Sequence, residues 1–588
     1  MRWDQITIER ALIALILFLA VGVRLFNLGR LPLSDGEAGW ALQSLSIARG
    51  ESTGIGPQPG EVTLTGLAFL LLGSSNFLAR LYAAIAGSLL VVVPLFFKRR
   101  LGSLAVLILM TGLALDPGLV VMSRTAGGPM GAIGFGTLAL ALVYARQPLW
   151  AGVAAGLALL SGPAVIAGLI PLGLAWGITV LIHRSREDAG DFAETEPSWL
   201  HGKEWLVFLL SALVTLLVAG TLFLRVPQGL SAWMSALPAY LSGWVTPSGT
   251  PALRLFAALL VYQPLAFIFG MIGILRGWLQ KDRLVHFLSL WFLFSLLMAL
   301  IYPGRQMGDL VWSLLPLWTL AALELAHLIG GFSGNRWVPF GQALVVFILL
   351  ALFWLNLLGV AGVWIDLQTS AMRLAVLAGL LALIAILSLL VGLGWSWEAA
   401  RVGFVWGVCA ALGLYGLSAL WHASQLSVPG QYELWQPVPV TRNADLLVST
   451  VKDLSEWNTG LVDEIDLTLA DESPSLRWEL RNVKRLAEIP ADQVDAISGT
   501  PSLVIARAAE ETPRLAETYR GQDFGWWVSP AWQGALPPDF LRWLTTHQAP
   551  LQLEQVIVWA RSDLFPGEPA ASQEAPADLP VDEGSPEQ

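Results

Sequence analysis

Apolar runs of roughly the same length recur from the amino terminus to residue 421, and a hydrocarbon core takes about 20 helical residues to cross. No water is available there to pair with backbone N–H and C=O groups, so each run must satisfy its own as a helix. Spans are expected at about 8–27, 77–97, 103–122, 130–145, 149–165, 166–182, 205–225, 252–275, 284–302, 309–330, 338–362, 372–392 and 400–421. The segment 149–182 reads either as one long helix or as a tight pair, and 62–73 as a short re-entrant or interfacial helix. Only 13% of the 588 residues are charged, against about a quarter in soluble domains. The expected fold is an all-α polytopic membrane domain of about 13 helices over 1–421. Tryptophans cluster near the ends of the runs, as rings that favour the headgroup level do.

The amino terminus has the apolar run of an export signal, from Ala11 to Phe26. Asp4 and Glu9 dilute its positive flank and no small-residue cleavage site follows, so it reads as a retained first helix. With that terminus in the cytoplasm, Lys98-Arg99-Arg100, Arg146, His183-Arg184-Ser-Arg186, Arg276 to Arg283, Arg336 and Arg401 all fall inside, as the positive-inside bias requires. The loop Leu31 to Trp40, the loop Ser123 to Pro129, the loop Val226 to Thr250 and the loop Tyr302 to Asp309 then lie outside, in a plasma membrane.

After Trp421 the composition becomes that of a soluble domain. Arg442 to Trp457 is amphipathic at helical spacing, Ile465 to Leu469 alternates like a strand, and Ser502 to Ala506 and Gln555 to Trp559 are short apolar runs. Pro538 to Thr545 reads as helical. An odd number of crossings delivers this α/β domain, 422–565, to the outer face, where it is expected to cover the mouth of the site. The tail 566–588 is rich in Pro, Glu, Asp, Ser and Ala and cannot bury a core, so it is expected to be disordered.

Several classes of function are disfavoured by what the residues offer. A lone Cys409 allows neither an intrachain disulfide nor a cysteine metal site, and the six histidines show no ligand spacing, so no metal is assigned. No basic, aromatic-laced surface points to nucleic acid. A secondary transporter would be expected to carry midplane charges or paired broken helices, whereas the most notable acid within a span, Glu324, lies near the inner surface.

The chemistry-bearing segment is Leu31-Pro-Leu-Ser-Asp-Gly-Glu-Ala-Gly-Trp40, which places Asp35 and Glu37 where the chain leaves its first span. It follows Arg24-Leu-Phe-Asn-Leu-Gly29 and precedes Gln58-Pro59-Gly60, Leu72-Gly-Ser-Ser-Asn-Phe-Leu-Ala-Arg80, the basic turn Phe97-Lys-Arg-Arg-Leu-Gly102 and Asp116-Pro117 to Ser123-Arg124-Thr125. Tyr302 to Leu317 ends in Leu-Leu-Pro-Leu, and Ser475-Leu-Arg-Trp-Glu-Leu-Arg481 stands in the soluble domain. In this order the segments resemble the integral-membrane glycosyltransferases of the GT-C fold, in particular family 39, which includes dolichyl-phosphate-mannose-type and aminoarabinose transferases.

That resemblance implies that an acceptor on the outer face, a glycan, lipid or protein, attacks the anomeric carbon of a sugar carried on polyprenyl phosphate, with inversion. A positioned carboxylate accepts the acceptor proton, a contribution of typically ~10²–10⁴-fold; Glu37 is the first candidate and Asp35 the second. Arg124, Arg305 and Arg80 are the candidates for the donor phosphate, which a planar guanidinium binds through two oxygens at once. Two departures stand out: Gly36 occupies the place of the family's catalytic aspartate, and Thr125-Ala-Gly-Gly-Pro129 lacks the acid that usually follows the Ser-Arg pair. A second reading is therefore kept, of a catalytically degenerate relative that binds lipid-linked glycans and supports their assembly or flipping.

Overall fold

The structure is a computed structural model that describes residues 7–51, 54–184, 201–332, 334–362, 367–426, 432–435, 443–497, 499–509 and 513–565. The tail 566–588 and the start of the helix expected from Arg442 lie outside the described residues.

Eight helices are long and apolar enough to cross a membrane: Asn76–Leu101, Pro163–His183, Lys203–Gly220, Arg283–Ile301, Met307–Ile329, Trp337–Val360, Ala371–Gly394 and Trp397–Ala423. Two bent pairs bring the number to ten if each is one span, Ser103–Leu115 with Pro117–Ser123 at 54° and Ala252–Tyr262 with Pro264–Gln280 at 91°. Three other expected spans are helices outside that set: Ile8–Leu25, Met130–Tyr144 and Pro148–Leu159. Length and apolarity thus support eight to ten crossings among the described residues, where the sequence leads one to expect about 13. The 149–182 stretch is a tight pair, Pro148–Leu159 and Pro163–Arg184, turned at Gly162 with φ +73°. Of the expected 62–73, residues 62–72 belong to the 14-residue helix Pro59–Leu72, which Gly73 caps; it is about 21 Å long at 1.5 Å per residue and too short to cross.

The apolar residues of these helices face outward as well as inward. Only 17% of the most apolar window of Trp337–Val360 is buried, and the same holds for Ala371–Gly394; exposed apolar area on that scale requires lipid to cover it. Trp150, Trp337, Trp395, Trp397 and Trp421 are exposed at or near helix ends, where indole rings sit at the bilayer interface. The protein is a multi-pass membrane protein.

Prolines place the breaks, because proline at the first helical position lacks an N–H and ends the preceding ladder. At Pro117 the break frees carbonyls inside the bundle, and the fully buried Arg24 fills them: its Nη1 donates to Ala114 O at 3.1 Å, its Nη2 to Leu113 O at 3.0 Å and its Nε to Ser123 Oγ at 3.2 Å. Asp116 caps the second half by accepting from Leu119 N at 2.9 Å. The Arg24 and Ser123 positions of the sequence pattern are therefore one structural device.

The chain divides into two compact units, Met1–Val440 with Val528–Gln552, and Thr441–Trp527 with Leu553–Gln588. The excursion 528–552 in the first unit carries the short helix Phe540–Thr546, whose buried Trp543 donates from Nε1 to Tyr432 O at 2.8 Å. The second unit is built on a five-stranded sheet: β1 (Asp466–Ala470), β2 (Arg485–Glu488), β3 (Leu503–Arg507), β4 (Tyr519–Pro530) and β5 (Leu551–Arg561), in the order β2-β1-β3-β5-β4. β1 runs parallel to β2 and β3, and β5 is antiparallel to β3. Leu447, Val451 and Leu454 of the Ala444–Thr459 helix close a core with Leu467, Leu469, Leu503 and Ile505.

Candidate functional site

Ser34 starts the helix Asp35–Arg49, and Glu37 stands at its third position. The Glu37 carboxylate turns back to accept from Ser34 N at 3.0 Å and Ser34 Oγ at 3.1 Å, the reciprocal contact of a capping box. Arg80, from the helix Asn76–Leu90, grips the same carboxylate with both prongs, Nε to Oε1 at 2.7 Å and Nη2 to Oε2 at 2.8 Å. Ala126 N donates to Oε1 at 3.2 Å. Five donors thus converge on two oxygens, both residues are buried, and Arg80 also donates to the carbonyls of Leu28, Leu31 and Pro32. Burial alone would raise the Glu37 carboxyl, but Arg80 and the three other donors outweigh it and hold the group below the ordinary glutamate range. Such a carboxylate ties the first loop to the helix Asn76–Leu90 and to the loop at 126, and has no lone pair to offer a substrate.

The second expected acid, Asp35, is half-buried in the first turn of its helix, beside exposed Gly36. Arg124 stands at the end of Pro117–Ser123, where its Nη1 donates to Phe26 O at 2.8 Å and Val23 O at 2.9 Å. It caps the last carbonyls of the helix Ile8–Leu25, and burial together with neighbouring Arg80 lowers its guanidinium to about 10. Arg80, Glu37 and Arg124 therefore meet at one place.

Arg305 does not join their contacts. It lies in the loop after Arg283–Ile301, where its Nη1 donates to Thr250 O at 3.1 Å and its carbonyl accepts from Ser248 Oγ. Its Nε is buried and has no hydrogen-bond partner among the described residues, a donor of the kind that costs free energy until a ligand or water meets it. The loop reaches the first cluster through Gly308, where an added β-carbon would sit 2.8 Å from Pro129 Cδ. Asp309 accepts from Gln306 N at 2.8 Å and so caps the short turn Met307–Leu310. Beside it, Tyr240, Ser295, Tyr302, Asp309 and Trp312 line a cavity of about 10 Å³, room for one water.

One acid of this region goes unread in the sequence. Glu61 is 3% exposed, in the first turn of Pro59–Leu72, and its Oε1 accepts from Gly127 N at 2.6 Å. Gly127 has φ +76°, a left-handed conformation that turns its N–H to Glu61 while its carbonyl accepts from Gln58 Nε2 at 3.2 Å. Trp40 closes over that turn, since a β-carbon on Gly127 would fall 2.2 Å from the Trp40 ring. Burial, and the nearby Glu37 charge, push the Glu61 carboxyl up to about 8. Its signal in the sequence is that Glu61 is the lone charge between Glu51 and Arg80. Among the described residues no group of three or more His, Cys, Asp or Glu could hold a metal ion.

No protein-family model matches the chain, and no curated protein matches it. Among solved structures the chain is similar to ArnT from Cupriavidus metallidurans bound to undecaprenyl phosphate, at 15% identity and a TM-score of 0.55, over 95% of this chain and 99% of that one. It is also similar to apo ArnT of the same organism, at 16% identity and a TM-score of 0.52, over 96% of this chain and all of that one. The likeness shows a shared fold, the GT-C-like helical domain with a small carboxyl-terminal sheet domain that the sequence pattern leads one to expect.

Proposed function

We propose that the chain is a membrane glycosyltransferase that moves a sugar from a polyprenyl-phosphate donor to an outer-face acceptor, with inversion at the anomeric carbon. The supporting observation is that the likeness runs the whole length of both chains, and that the ArnT structure holds undecaprenyl phosphate, the species such a transfer leaves behind. Fold alone does not fix chemistry, so the residues must supply it.

Arg305 is the proposed ligand of the donor phosphate, because its buried Nε lacks an acceptor and a phosphate oxygen fits a guanidinium edge. Arg124 adds positive charge to the same set of loops while holding backbone carbonyls, and Arg80 is paired with Glu37. Glu37 holds the site together, and the half-buried Asp35 stands at its edge as the second proposed acid. In the reaction the bond from the acceptor atom to C1 forms as the C1–O bond to phosphate breaks, and the electron pair leaves with polyprenyl phosphate. In this assignment the amino terminus is cytoplasmic and the carboxyl-terminal domain extracytoplasmic.

The test is turnover in proteoliposomes supplied with a panel of undecaprenyl-phosphate-linked pentoses and hexoses plus outer-envelope lipid and glycan acceptors. Release of undecaprenyl phosphate that depends on both donor and acceptor is the expected result; binding of the donors with no release for any pair would favour the degenerate reading instead.

A further inference from the structure

Resting on the sugar-transfer reading, we infer that Glu61 is the residue that takes the proton from the attacking acceptor. The two buried carboxylates differ in which of them has a free oxygen. Both Glu37 oxygens are filled by donors, whereas Glu61 receives one bond, on Oε1, and its Oε2 takes no hydrogen bond among the described residues. An acid that is almost fully buried and half-satisfied, standing among loops that the charge pattern places outside, has the geometry of a group waiting for a ligand proton.

Its surroundings fit the task. The Pro59–Leu72 helix is fixed at its start by Gly60 N donating to Leu160 O at 3.0 Å, and one turn on by Thr63 Oγ1 donating to Ala219 O at 2.7 Å. Those two neighbours offer Glu61 only backbone carbonyls. The titratable groups that face it are Glu37, whose charge is paired with Arg80, and Tyr82, whose hydroxyl shares a hydrogen bond with Ser161 Oγ at 3.3 Å. No cation pairs with Glu61 among the described residues, so its proton affinity is set by burial, opposed by the Gly127 hydrogen bond and aided by Glu37. A general base works best when that affinity lies near the operating pH, and a carboxyl raised to about 8 meets the condition.

The step balances without a further reactant. The acceptor, a hydroxyl or a neutral amine, forms its bond to C1; the C1–O bond breaks and its electron pair leaves with the phosphate; and one proton of the attacking O–H or N–H passes to Glu61 Oε2. Glu61 must be ionised at the start, so turnover should rise with pH until the group is fully deprotonated.

Wild type, Glu61→Gln and Glu61→Asp are compared as full-length proteins in proteoliposomes, using undecaprenyl phosphate release from the donor that wild type accepts. Glutamine keeps an oxygen for Gly127 N, so the variant retains the turn, and its thermal unfolding at about pH 4, where Glu61 is protonated in the folded and unfolded chain alike, should match wild type. The expected result is turnover about 10²–10⁴-fold lower in Glu61→Gln with unchanged undecaprenyl phosphate affinity, a pH profile that no longer rises toward 8, and partial recovery in Glu61→Asp. A Glu61→Gln protein that transfers at the wild-type rate with the wild-type pH profile overturns the inference. A wild type that transfers no sugar at all overturns the functional reading instead, so the two failures are separable.

Discussion

Replacing Glu37 with glutamine would leave Arg80 buried beside a neutral amide, and breaking a buried pair from one side typically costs about 3–5 kcal/mol. Chemical denaturation in detergent should therefore show Glu37→Gln strongly destabilised, and lost activity in that variant reports folding before it reports catalysis. A Glu37→Gln protein as stable as wild type would show that the five contacts do not matter. Glu61 behaves in the opposite sense with pH. Its carboxyl is raised from 4.5 to about 8, so the native state holds a proton the unfolded chain has released, and this contribution to stability is complete below about 4.5 and fades as pH rises through about 8. Unfolding midpoints between pH 5 and 9 should fall more steeply in wild type than in Glu61→Gln; parallel curves would contradict the assignment. At this scale the sequence was half legible. Asp35 and Glu37 drew attention because they stand together after the first span, yet the capping box and the partner 43 residues away that occupy Glu37 depend on tertiary packing. Glu61 was passed over because no neighbour in sequence marks it, and its environment is assembled from Gly127, Gln58 and Trp40.

Elements carry the geometry that the side chains use. The Gly127 turn combines φ +76° with a Trp40 ring that leaves no room for a β-carbon. Gly127→Ala should therefore cost more than the ~1–2 kcal/mol of a left-handed backbone alone and should weaken the Glu61 contact. Near-wild-type stability and turnover would mean the loop is softer than its packing indicates. Helices were the most legible level, because apolar runs and basic turns are local signals, but the continuous spans expected at 103–122 and 252–275 are each broken, at Pro117 and Pro264, where a proline lacks the N–H that would carry the ladder on. The short Met130–Tyr144 and Pro148–Leu159 helices were not separable from full spans by composition, since both are apolar throughout.

For the whole molecule, orientation is the feature that the charge pattern proposes and that the helices alone leave to be measured. In a background where Cys409 is replaced by serine, Thr246→Cys and Ser449→Cys should react with a membrane-impermeant maleimide on intact cells, and Gln280→Cys only after permeabilisation. The reverse pattern would invert the topology and remove the site from the outer face. The excursion of residues 528–552 into the first unit had no counterpart in the sequence pattern, because nothing local marks Trp543 as a partner of Tyr432. Capture of a polyprenyl-phosphate lipid by Arg305 is measured by titrating the purified full-length protein with undecaprenyl phosphate and reading its thermal unfolding. Wild type and Arg401→Ala should show the same saturable stabilisation, while Arg305→Ala should bind about 10–100-fold more weakly, as expected for losing charge-assisted hydrogen bonds of roughly 1.5–3 kcal/mol. Equal binding by all three proteins, or none by wild type, would contradict it.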